Sequence, residues 1–366
     1  MLLLRTVLIV MLLSFLEKFW ANLRYFEGEL TAMLRAKLRR MSSFLSMFAL
    51  IIIFLNVWCF IKLFISTRER PKYIRTELYS SSGDDTVVVN NSIAKDMYEN
   101  IRIFCIILTT ENDLNTKALI VNITWAKRCN KHFFIISSKI HKPDIILSAY
   151  PDERKYLIYK VRSAFEFLYD KYIGSFDWVF KGDDDTYVII ENLRYLLSHY
   201  NSSKPGYLGY KFDKFVANGY MSGGGGYVIS RQGVKQLVEN GIRANMCPIV
   251  QTEENPELSE DLLIGECLQK SHVPILNSRD IYGRDTFHPY PVEQHLLGEL
   301  PSYLYSWSKV PPVEGQNCCS QFTISFHYMK PESMILVDHL LYKTSVFGRT
   351  LPLNMGKMFQ VEQSTP

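Results

Sequence analysis

The sequence predicts an α/β domain on a largely parallel sheet, preceded by one transmembrane helix, and three observations carry that prediction. Between residues 101 and 200 short apolar runs alternate with helical patterns, the order that builds parallel sheets. Three adjacent aspartates stand at the end of the third run, and such sheets collect ligands at the carboxyl ends of their strands. Ser42 to Ile61 carries no charge and has the length of a bilayer-crossing helix.

Along the chain, Val7 to Leu16 is apolar but too short to span, and no small-residue cleavage site follows it. It reads either as a signal-peptide core or as an extension ahead of a later start at Met33 or Met41. Basic residues flank 42–61 on both sides, Arg35, Lys37, Arg39 and Arg40 before it and Lys62, Arg68, Arg70 and Lys72 after it. Charge alone therefore leaves its orientation open. Residues 1–41 are expected to be cytoplasmic or an extra N-terminal segment, 42–61 a signal anchor, 62–100 a stem, 101–345 the folded domain and 346–366 a tail.

Within the domain, Arg102–Leu108 reads as a buried strand and Asn115–Arg128 as a helix. His132–Ile136 is a second strand, 154–172 a second helix and Phe176–Lys181 a third strand. From Tyr187 to Tyr200, Ile189, Leu193, Leu196, Leu197 and Tyr200 share one helical face. Ser259–Leu268 starts another helix, and Trp307 together with Lys309–Cys319 reads as an irregular loop with an exposed aromatic.

Composition narrows the function. A net charge of +4, not gathered into a stripe, argues against nucleic-acid binding. Of seven cysteines, six lie beyond the apolar span, as suits an oxidising compartment. Proximity favours Cys105 with Cys129 and Cys247 with Cys267. Adjacent Cys318 and Cys319 either bridge each other or reach different partners. N-x-S/T sequons at Asn90, Asn122 and Asn201 are compatible with lumenal exposure.

Asp183, Asp184 and Asp185 are the strongest chemical signal. Adjacent carboxylates repel one another, and a divalent cation with hard oxygen ligands, Mg²⁺ or Mn²⁺, would hold them together. The bland alternative is a helix start, where acids cap and complement the dipole. Gly223–Gly226 permits close backbone approach to a ligand, or is a flexible turn. Glu260 and Asp261 begin a helix, so they are either its acidic first turn or a source of a general base. His288 and His327 are structural histidines or metal ligands beside the carboxylates.

Taken in order, Thr124-Trp-Ala-Lys-Arg-Cys129, Asp183-Asp-Asp-Thr-Tyr-Val188, Gly219-Tyr-Met-Ser-Gly-Gly224, Glu260-Asp-Leu262, Thr286-Phe-His-Pro289, Pro311-Pro-Val-Glu-Gly315, Cys318-Cys319 and Ser325-Phe-His-Tyr328 resemble the core 1 β1,3-galactosyltransferases. These belong to the wider β1,3-glycosyltransferase family that includes Fringe. The resemblance covers about residues 100 to 330. It implies a GT-A fold in a type II Golgi membrane protein with its domain in the lumen. It also implies UDP-galactose as donor, Mn²⁺ as cofactor, and N-acetylgalactosamine on Ser or Thr of glycoproteins as acceptor. Asp183, Asp185 and His327 would hold the metal, and Asp184, Thr109 and Arg128 would serve the nucleotide. Asp261 would be the base, and Trp307, Glu260 and Tyr220 would meet the acceptor sugar. A homodimer and a dedicated chaperone are further implied partners. Gly182 and Gly225 stand where alanine is usual, and the first 40 residues have no counterpart. Rival readings are a sister enzyme with another donor or acceptor, a non-catalytic chaperone-like relative and a lectin-like receptor. The chaperone-like relatives lack the triple aspartate.

Overall fold

The computed structural model describes residues 10–19, 52–58, 92–137, 143–247 and 259–346. The chain divides into two units, Met1–Tyr73 and Ile74–Pro366. In the first, residues 10–19 and 52–58 are helical. The expected span 42–61 lies outside the described residues except for 52–58. Among the described residues no helix is long and apolar enough to cross a membrane. Most of the expected stem and tail also lies outside them.

The second unit opens with α1 (Ser92–Asn100) and β1 (Ile103–Leu108). There follow α2 (Lys117–Ile123), β2 (Lys131–Ile136), β3 (Ile145–Leu147), α3 (Leu157–Tyr172) and β4 (Trp178–Asp183). Next come β5 (Tyr187–Val188), α4 (Ile190–Leu197), β6 (Tyr207–Gly209), β7 (Lys211–Phe212), β8 (Tyr220–Met221) and β9 (Tyr227–Ser230). The chain ends its described part with α5 (Arg231–Gln236), α6 (Glu260–Lys270), β10 (Phe287–His288), α7 (Val292–Leu297), α8 (Ser302–Trp307), β11 (Ser325–Phe326) and α9 (Pro331–Tyr342).

The main sheet has the order β3-β2-β1-β4-β9-β6. β3, β2, β1 and β4 pair in parallel, whereas β9 runs antiparallel to both β4 and β6. β1 is apolar throughout because both faces of the sheet are covered. Ile103, Cys105 and Ile107 point into one core with residues of α2 and α4. Phe104, Ile106 and Leu108 point into the other with α3, α5 and α6. Alternation of side chains along a strand produces this division. The mixed α/β architecture with a mostly parallel sheet fits a GT-A type transferase.

Two elements differ from expectation. The helix expected over Asn115–Arg128 stops at Ile123, and a 3₁₀ turn covers Ala126–Arg128. The chain turns there to deliver Cys129 to a disulfide with Cys105 and Asn130 Oδ1 to the Ile103 amide. The helix expected from Tyr187 begins at Ile190. Tyr187 and Val188 instead pair with β11, while β10 runs parallel to β11's other edge. The other disulfides join Cys247 to Cys267 and Cys318 to Cys319, resolving the choice for the adjacent pair.

Candidate functional site

β1 and β4 are neighbours, with Leu108 in register with Asp183, so Thr109 and the three aspartates leave the sheet side by side. The aspartates do not start a helix: Thr186 and β5 intervene before α4, which removes the capping explanation. Asp184 is buried, accepts a hydrogen bond from Thr109 Oγ1 at 2.7 Å, and has Lys117 Nζ 3.8 Å away. Burial pushes its carboxyl up to about 6, against the Thr109 hydrogen bond.

Asp185 Oδ1 lies 3.2 Å from His327 Nε2, and Asp183 Oδ2 lies 4.0 Å from the same nitrogen. Burial alone would raise Asp185, but the hydrogen bond and charge of His327 outweigh it and hold the carboxyl below its usual range. The backbone fixes this meeting: Met329 N donates to Asp185 O at 2.8 Å, and His327 N donates to His288 O at 3.1 Å. Ligand atoms of Asp183, Asp185 and His327 all lie within 4.8 Å of one another. Two carboxylates and an imidazole form a donor set suited to a divalent metal.

The glycine turn closes over this edge. A Cβ on Gly224 would lie 2.0 Å from His327 Cε1, and one on Gly223 would lie 3.0 Å from Asp261 Cβ. The missing side chains therefore admit protein groups, His327 and Asp261, at van der Waals distance. Gly223 N donates to Asp261 Oδ2 at 2.8 Å, so consecutive residues touch the metal-ligand set and the expected base.

Lys181 escaped the sequence reading. It is buried in β4 with Nζ 2.8 Å from Asp183 Oδ1, 3.3 Å from Glu260 Oε2 and 3.3 Å from Gly223 O. Burial works to lower Lys181, yet Asp183 and Glu260 outweigh it and hold it protonated above its ordinary value. A lone lysine within an apolar strand was the available signal. Lys160 was missed likewise: buried on α3, it donates to Thr109 O at 3.1 Å and pairs with Asp152.

Arg128 does not join the aspartates; its guanidinium is committed to Asp338 at 2.6 Å, to the Thr124 carbonyl and to the Tyr342 ring at 3.5 Å. Glu260 is buried between Lys181 and the Tyr227 hydroxyl, which donates to it at 2.7 Å, whereas Asp261 is half-buried. Tyr220 is buried against Phe212, behind the half-buried Trp307, whose ring lies 5.6 Å from Phe212. Trp307 ends α8 rather than lying in a loop. His288 is fully buried near His295. These two histidines approach Cys319, but its sulfur is bonded to Cys318, so no thiolate is offered.

A family model described as Fringe-like matches residues 98–342. The chain belongs to the Fringe-like family. This Fringe-like chain is 38% identical to the Glycoprotein-N-acetylgalactosamine 3-beta-galactosyltransferase 1 of Xenopus laevis, over 71% of either chain. Identity to the Beta-1,3-glucosyltransferase of Mus musculus is 28% over 38% of this chain and 27% of that protein. To the Chondroitin sulfate synthase 3 of Homo sapiens it is 22% over 52% of this chain and 22% of that protein. The Fringe-like chain is a glycosyltransferase.

Proposed function

We propose that this enzyme transfers galactose from UDP-galactose to N-acetylgalactosamine α-linked to Ser or Thr of glycoproteins, forming a β1,3 bond with inversion. The Xenopus relative, a glycoprotein-N-acetylgalactosamine 3-beta-galactosyltransferase, supports galactose as the transferred sugar and N-acetylgalactosamine as the acceptor. The observation that carries the chemistry is the pair Gly223–Gly224, against which Asp261 of α6 and His327 after β11 both pack.

Asp183, Asp185 and His327 would hold the ion, with Mn²⁺ the preferred occupant. When bound, the ion supplies Lewis-acid stabilisation of charge on the departing diphosphate. Thr109 and Asp184 shape the nucleotide side of the edge, and Trp307 offers a face to the acceptor sugar. Asp261 takes the proton from the acceptor hydroxyl as its oxygen attacks the anomeric carbon. The bond from that carbon to the diphosphate breaks on the opposite side, so no covalent enzyme intermediate forms. Lys181 holds Asp183 and Glu260 in place through its ion pairs with both.

We also place the domain in the Golgi lumen behind a signal anchor at 42–61. The uncharged run at that position and three disulfides beyond it support this placement, since disulfides persist in oxidising compartments.

The test incubates residues 66–366 with a GalNAc-peptide and UDP-galactose, UDP-glucose or UDP-GlcNAc, with Mn²⁺ or a chelator, and reads product by mass spectrometry. Transfer confined to UDP-galactose and lost with chelator is expected. Preference for another donor, or full activity under chelation, overturns the proposal.

A further inference from the structure

A row of aromatic rings runs outward from the metal-ligand edge. The Tyr328 ring lies 3.8 Å from that of His327, and Tyr290 follows 5.3 Å from Tyr328. Tyr303 is next, its hydroxyl 3.1 Å from that of Tyr290. Trp307 lies 4.7 Å from Tyr303, and Phe215 ends the row 5.0 Å from Trp307. The Phe215 loop is tied to α8, since Asp213 N donates to Trp307 O at 2.7 Å and Lys309 N to Asp213 Oδ2 at 2.8 Å.

The two ends of the row share an unusual backbone. Tyr328 has φ 54° and Phe215 has φ 71°, a left-handed conformation that is strained for bulky side chains. Both rings are exposed, by 52% and 60%, so core burial does not offset the strain. Strained residues of this kind cluster at ligand clamps, where surrounding structure holds a side chain toward its partner. Exposed aromatic faces joined to a site supply large contact area to apolar ligand groups.

Resting on the transferase reading above, we propose that Phe215 is the outer end of the acceptor site. There it recognises an apolar side chain of the polypeptide next to the glycosylated residue. The reacting sugar hydroxyl has to lie beside Asp261 and the metal ligands. The rest of the acceptor extends away from that edge, and the aromatic row leads from it to Phe215. Phe215 is thus a specificity residue for the peptide, not for the sugar.

The test compares the full chain with Phe215→Gly and Phe215→Tyr on three acceptors: methyl α-N-acetylgalactosaminide, a glycopeptide flanked by leucines and one flanked by glycines. Phe215→Gly accommodates the left-handed backbone, and its KM for the methyl glycoside reports whether the fold is kept. Phe215→Gly is expected to raise KM for the leucine-flanked peptide about five-fold, the loss of one aromatic contact. The other two acceptors stay at wild-type values, and Phe215→Tyr restores the peptide. Equal loss on all three acceptors, or none on the leucine-flanked peptide, overturns this inference alone. A wild type that transfers to none of them overturns the transferase reading and this inference with it.

Discussion

Lys181 Nζ lies 3.3 Å from Glu260 Oε2, joining the middle of the sheet to the first turn of α6 through a buried ion pair. Removing one partner of such a pair leaves the other charge buried and unpaired, which costs about 3–5 kcal/mol. Lys181→Met is therefore expected to lower stability by about that amount, read as a shifted urea midpoint. An unchanged midpoint would show that the pair contributes nothing net.

Gly224→Ala brings a Cβ to 2.0 Å from the His327 ring, so the imidazole has to move. A displacement of about 1 Å in a reacting constellation can cost about 100-fold in rate. We expect a kcat loss of that order with little change in melting temperature, measured by initial rates and calorimetry.

Asp185→Ala and His327→Ala each remove a ligand atom from the triad. Both variants should stay folded by circular dichroism while losing Mn²⁺ binding in calorimetric titration and losing transfer. Near-normal turnover in either would place the metal elsewhere.

Asp261→Asn keeps the size of the side chain and an oxygen that can accept from Gly223 N, but its amide is no base. UDP affinity is expected to persist while kcat falls by about 10²–10⁴, the usual worth of general base catalysis. An equal loss of UDP binding would instead assign Asp261 to the donor side.

Acid should weaken the fold through His295. Burial lowers this imidazole to about 4, with Glu314 opposing the shift, whereas an unfolded histidine titrates near about 6.5. As pH falls from that value toward 4, the unfolded chain takes up a proton that the folded chain refuses. Stability is thus full above the unfolded value and lost below it, by about 2 kcal/mol between pH 7 and 5. His295→Leu should flatten that part of the profile, measured by urea unfolding at both pH values.

What the sequence disclosed follows from the range of the forces involved. β1 was legible because an unbroken apolar run has few other fates, and Asp183–Asp185 because adjacent like charges demand an explanation. Cys105–Cys129 and Cys247–Cys267 were legible because short separations close short loops. α1 went unread: it is polar and has no buried residue, and it is held by contacts such as Tyr98 with Arg194, whose guanidinium lies 4.7 Å from the ring. The hydrogen bond of Arg128 to Asp338 was not legible because the two residues are 210 positions apart. The β5 strand was hidden by a helical pattern that pairing with β11 overrides. The Lys181–Glu260 pair needs three dimensions to be seen at all.

A strand that runs against its neighbours starts where they finish. β9 does this beside β4, so the chain preceding it reaches the same rim as the aspartates that follow β4. The rim is consequently modular. Its acidic half hangs on the parallel strands, while the glycine turn and the Phe215 loop hang on residues 210–226. Exchanging that segment with a relative's would leave uncut every strand that carries an aspartate of the site.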